Sequence, residues 1–77
     1  MNIQEAVQKA AEEDKMIVRE KFYQDYGDHL GAIDPSNSYE CCRIMKKMNG
    51  KWTQRERCWN PTLEDLTADD WILITKE

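Results

Sequence analysis

No Cys-x-x-Cys pair occurs in this chain, and a single histidine, His29, accompanies its three cysteines, Cys41, Cys42 and Cys58. Structural zinc needs four soft ligands at recurrent spacings, so no metal site is expected. An odd number of cysteines in a reducing compartment instead predicts small buried side chains without disulfides. With 3 glycines in all, the chain has no glycine-rich phosphate loop. His29 has no recognisable nucleophile motif beside it, so neither an enzyme nor a cofactor is expected. No apolar run approaches the roughly 20 residues of a membrane span, and the N-terminus lacks the apolar stretch of a signal peptide. The expected location is therefore cytoplasmic. Positive charge is also scarce: 11 Lys and Arg against 15 Asp and Glu give a net charge of −4. That deficit argues against a nucleic-acid binder, which must neutralise phosphates, and against an anionic membrane surface.

What the chain does have is bulk. Its 77 residues make one expected domain, 1–77, yet they include three Trp, three Tyr and one Phe. A core of this size rarely supplies more than about 3–5 kcal/mol without staples or partners. So many rings for so few core positions predict aromatic surface buried between subunits or against a ligand. A homo-oligomer is expected.

The N-terminal segment reads as a capped amphipathic helix. Asn2 is a candidate N-cap with Glu5 three residues on, and Ile3, Ala6, Val7 and Ala10 fall on one face, as far as about Asp14. Met16 to about Tyr23 reads as a strand, with Met16, Val18 and Phe22 facing one way and Ile17, Arg19 and Lys21 the other. Residues 24–38 read as a long loop containing Tyr26 and His29. Asn49-Gly50 between strand-like runs 39–48 and 51–60 is the strongest short-range hairpin signal. Placing Met48 opposite Lys51 sets Arg43 against Glu56 and Cys41 against Cys58.

On the second hairpin strand Arg55, Arg57 and Trp59 alternate, so one face would carry two guanidinium groups and an indole. Arginine offers planar donors to phosphate, and tryptophan offers a platform for a base. The alternatives are solvated ion pairs for the arginines and packing against the Leu63 and Leu66 turn for Trp59. Pro61 stops that strand. Thr62 with Asp65 forms an aspartate version of the capping box, opening a short helix. Thr67 with Asp70 offers a second cap or turn, and Trp71 begins the last strand. Asp69 and Asp70 can serve as helix-end carboxylates or as acceptors for ribose hydroxyls. The expected fold is α+β: an N-terminal helix packed on a small antiparallel sheet, with a central hairpin and a short helix before the last strand.

The run Trp59-Asn60-Pro61-Thr62-x-Glu64-Asp65-Leu66-x-Ala68-x-Asp70-Trp71, followed by a short apolar strand, resembles the C-terminal signature of the small phage proteins known as Thoeris anti-defence sponges. The helix at Ile3-Gln4-Glu5-Ala6 and the strand Ile17-Val18-Arg19-Glu20-Lys21-Phe22 extend the resemblance to the N-terminus. The resemblance implies a non-enzymatic phage protein acting in the host bacterial cytoplasm. It further implies a homotetramer that holds a cyclic nucleotide-type signalling molecule between subunits. The signals are glyco-cyclic ADP-ribose isomers of Thoeris defence and, for some members, cyclic dinucleotides of CBASS. Matched positions make Arg19, Phe22, Trp59, Asn60, Thr62, Asp70 and Trp71 the implied ligand-binding residues, joined by Arg55 and Arg57 from the residue pattern. Phe22 stands where the family has tryptophan, and Glu13-Asp14-Lys15 where a glycine is common. Capture without bond cleavage is the expected mechanism. The alternative is a small acidic inhibitor that blocks a host defence protein by direct contact.

Overall fold

The computed structural model describes residues 1–76, apart from the side chain of Asp28. Its elements are helix α1 (Ile3–Glu13), strand β1 (Met16–Arg19), helix α2 (Glu20–Tyr26) with a 3-10 turn (Gly27–His29), strands β2 (Ala32–Asp34), β3 (Arg43–Met48) and β4 (Lys51–Glu56), helix α3 (Leu63–Thr67) and strand β5 (Trp71–Ile74). The five strands form one sheet in the order β4-β3-β2-β1-β5, with every neighbouring pair antiparallel. The expected α+β architecture is what the chain adopts.

Local chemistry accounts for the ends of α1 and the start of α3. The Asn2 side chain accepts from the Glu5 N–H and the Glu5 carboxylate accepts in return, closing a capping box at α1. Asp14 ends that helix in the left-handed region, φ 55°, where glycine carries no steric penalty. Thr62 and Asp65 form the second capping box and open α3. Thr67 does not start a further cap: its hydroxyl donates back to the Leu63 carbonyl at 2.9 Å, completing the same helical turn.

Four expectations need correcting. The first strand stops at Arg19, and Glu20 to Tyr26 turn into helix. Phe22 and Tyr23 are strand formers, but Glu20, Lys21 and Gln24 favour helix, and the chain leaves the sheet after Arg19. The helix start is then capped from a distance, as the Glu20 and Lys21 N–H groups donate to the Asp70 carbonyl (2.9 Å) and carboxylate (3.2 Å). Within the expected loop 24–38 lies the sheet's central strand, β2, whose three residues are all buried. Three residues are too few to show a period of two.

The hairpin register holds at Met48 opposite Lys51, but a bulge intervenes and Ile44, not Arg43, sits opposite Glu56. Arg43 faces Asp34 across β2 and forms an ion pair with it. Finally, the cysteines are not small core residues: Cys41 and Cys58 are exposed and only Cys42 is half-buried, all three with free thiols.

Both faces of the sheet carry apolar residues. On the α1 side, Ala6 and Ala10 are small enough to bring the helix onto Ile17, Ile33 and Trp71, with Ile44 and Trp59 at the edge. The other side buries Met16, Val18 and Ala32, around which Tyr23, Leu30, Met45, Trp52, Ile72 and Ile74 are half-covered. Among the described apolar residues of that cluster, Tyr23 and Leu30 reach the face from outside the sheet. Among the described residues, no helix is long and apolar enough to cross a membrane.

Candidate functional site

Arg19 closes β1, directly opposite Trp71 on β5. A strand buried along all four residues draws its last side chain inward, and only 8% of Arg19 is exposed. A buried guanidinium must be paired and hydrogen-bonded. Its Nε donates to the Asp70 carboxylate, while Glu64 and Asp65 lie 3.6 Å from Nη2 and Nη1. The 3.6 Å contact is an ion pair too long for a hydrogen bond, so Arg19 Nη1 is buried with no acceptor.

Aromatic rings complete the surroundings. The guanidinium carbon lies 5.5 Å from the Phe22 ring centroid and 5.8 Å from that of Trp71, both within cation–π range. Trp71 is fixed by its indole N–H, which donates to the Asp65 carbonyl at 2.9 Å. Trp59 meets it edge to face, with centroids 5.8 Å apart and planes at 81°. Partial burial pushes the Asp70 carboxyl upward. The hydrogen bonds from Arg19 and the Lys21 N–H, with the charge of Arg19, outweigh that and hold it below the ordinary aspartate value.

These residues border a pocket of about 130 Å³, whose walls include Arg19, Phe22, Leu30, Trp59, Asp65 and Trp71. Four residues expected at a site therefore converge on one cavity, and Asp70 reaches it through Arg19. Thr62 does not join them, because its hydroxyl is committed to capping α3. Asn60 is exposed just beyond Trp59.

Arg55 and Arg57 are not brought to this pocket. Strand β4 is at the sheet edge opposite β5, the bulge leaves Arg55 without a partner position, and Arg57 follows the strand's end. Both are exposed. The expected common face with Trp59 is thereby broken, since Trp59 turns onto the α1-side core. A separate cavity of about 440 Å³ lies between α1 and residues 34–37, where Asp14, Asp34 and Lys76 meet. None of the expected site residues lines it.

The role of Glu64 and Asp65 as partners of Arg19 escaped the sequence reading, because nothing local links residues so far apart in the chain. The only available signal was the need of an inward-facing Arg19 for counter-charges. Among the described residues, no cluster of three or more His, Cys, Asp or Glu has the geometry to hold a metal ion.

No curated protein and no solved structure matches the chain. A family model for the Thoeris anti-defense 2-like (Tad2-like) domain matches residues 1–74, from the capping box of α1 to the last residue of β5. By that match over nearly its whole length, the chain belongs to the Thoeris anti-defense 2-like family and has a role in countering Thoeris defence.

Proposed function

We propose that this protein counters Thoeris defence by stoichiometric capture of a cyclic nucleotide signal, with no bond made or broken. The signals are glyco-cyclic ADP-ribose isomers and, as a second class, cyclic dinucleotides. The supporting observation is the Arg19 pocket, where Phe22 and Trp71 flank a buried guanidinium whose Nη1 lacks an acceptor and Trp59 lines the same cavity. Rings that can stack on a base and a donor with hydrogen-bonding capacity left over suit a nucleobase.

Electrostatics divides the ligand between two places. Asp65, Asp70 and Glu64 already outnumber Arg19, so phosphates are disfavoured here, whereas ribose hydroxyls and a base are not. Phosphates require other cations, and Arg55 and Arg57 have no ion pair among the described residues. Size points the same way. A pocket of about 130 Å³ is well below the roughly 300–1,000 Å³ of ligand sites. The remaining walls would come from another copy of the chain, and the half-covered face around Met45, Trp52, Ile72 and Ile74, on the other side of the sheet from the pocket, offers a second interface of the kind a tetramer needs. A homotetramer is the proposed form.

The test combines thermal shift, calorimetry and sequence variants. Wild-type protein should be stabilised by a glyco-cyclic ADP-ribose isomer and should release it intact after heat denaturation. Arg57→Ala should weaken capture at least tenfold while changing stability by no more than about 0.5 kcal/mol, as for an exposed residue. Trp59→Ala should weaken capture too, but also destabilise the fold by roughly 2 kcal/mol through the lost contact with Trp71. Indifference of the wild-type protein to every cyclic nucleotide, with co-purification of a host defence protein, would establish direct obstruction instead.

A further inference from the structure

Outside the pocket, the molecule carries a pair of facing thiols, and both are exposed to solvent where the sequence predicts buried cysteines. Cys41 and Cys58 are 17 residues apart in sequence, and their sulfurs are 3.6 Å apart. The Cys58 N–H donates to the Glu40 carbonyl and the Trp59 N–H to the Cys42 carbonyl, both at 2.8 Å. Two backbone bonds thus hold the segments together on either side of the pair. Both thiols point at one further group, the Tyr39 carbonyl, 3.8 Å from Cys41 Sγ and 4.0 Å from Cys58 Sγ. Both cysteines also occupy the left-handed region, at φ 57° and 59°. That region is uncommon for residues with a Cβ. Chain geometry thus brings these two side chains together.

We propose that Cys41 and Cys58 are an oxidation site, a dithiol that hydrogen peroxide converts into an intrachain disulfide. A disulfide has an S–S length of about 2.05 Å, so closure requires the sulfurs to approach by roughly 1.5 Å. Side-chain rotation supplies such a shift without moving the backbone bonds that flank the pair. One thiolate attacks a peroxide oxygen, the O–O bond breaks, and hydroxide leaves to become water, giving a sulfenic acid. The second thiolate then attacks that sulfur and displaces another water. In total two thiols and one peroxide give one disulfide and two waters.

Cys42 is excluded by direction. Although it neighbours Cys41 in sequence, it packs against the α1-side core with Ile44 and Trp59. The hydrogen bond with Cys58, followed by the charge of the Cys58 thiolate, raises the Cys41 thiol above its ordinary value. That response is expected of two sulfurs sharing one place. Closure would tie residues 57–59 to residues 40–42 and so hold Trp59 in position beside Trp71. The proposal does not depend on which ligand the pocket takes.

The experiment treats reduced, full-length protein with a small excess of hydrogen peroxide, then alkylates it under denaturing conditions and reads mass and peptide linkage. The expected product has lost two hydrogens, retains Cys42 as its alkylatable thiol, and links Cys41 to Cys58 in tandem mass spectra. Cys42→Ser should close as wild type does, whereas Cys41→Ser and Cys58→Ser should not. The linked protein should melt about 10 °C higher than the reduced form, because the closed loop restricts the unfolded chain. A link to Cys42, a link between chains, persistence of all three thiols, or addition of oxygen without a link would each overturn the proposal. Because the linkage is read on wild-type protein, a variant that fails to fold leaves the test intact.

Discussion

Asp70 ties the end of β1, the start of α2 and the segment before β5 together. Its carboxylate accepts from the buried Arg19 Nε and from the Lys21 N–H, and its carbonyl accepts from the Glu20 N–H. It therefore pairs a charge and starts a helix at once. Its lowered pKa has a definite consequence for acid stability. A carboxyl whose folded value lies below its unfolded one stabilises the fold above the unfolded value, about 3.9 for aspartate. The contribution is lost as pH falls through the lower, folded value. Urea titrations between pH 7 and pH 3 should show Asp70→Asn less stable than wild type at neutral pH, with the gap narrowing toward the acid end. A constant gap would mean that Asp70 acts through its shape and not its charge. The sequence placed Asp70 beside Trp71 and left its role open. Its partner is 51 positions away, and only folding names it.

At the scale of elements, the three helices show how unevenly sequence signals are distributed. Helices α1 and α3 carry their own caps within four residues, Asn2 with Glu5 and Thr62 with Asp65, and both are legible in the sequence. Helix α2 has no side-chain cap of its own at Arg19, and its first N–H groups are satisfied from Asp70 instead. A helix capped by a distant residue has no local signature. The same holds for β2, which is a strand because β1 and β3 flank it and supply its hydrogen bonds. Ile33 makes the distinction measurable. In a solvated loop Ile33→Ala would be nearly silent, but here Ile33 is buried in the α1-side core. Truncation should cost about 2–4 kcal/mol in chemical denaturation, the usual range for a buried isoleucine.

At the scale of the whole molecule, one sheet face is covered by a helix and the other is half-finished. Trp52 carries this contrast in a single residue. Its ring is half-covered beside Ala32 and Met45, 5.7 Å from the Lys47 ammonium, and its buried indole N–H has no acceptor. In the proposed assembly a second copy covers this face. Trp52→Glu places a charge there, and the protein should then sediment as a smaller species than wild type at the same concentration. It should retain its helical circular dichroism, because the α1-side core is untouched. A wild-type protein that already sediments as a monomer would overturn the shared site. What the sequence determined by itself is whatever depends on near neighbours: two capped helices, the Asn49-Gly50 hairpin, the apolar last strand, and the motif from Trp59 to Trp71 whose resemblance pointed to the family that the match over residues 1–74 shows. The tertiary structure decided what depends on distant charges and shared ladders. It set Glu64, Asp65 and Asp70 around Arg19, made a strand of residues 32–34, and separated Arg55 and Arg57 from the aromatic pocket. The physical reason is range. Caps and turns act over three or four residues, whereas a buried charge and a central strand take their partners from wherever the chain returns.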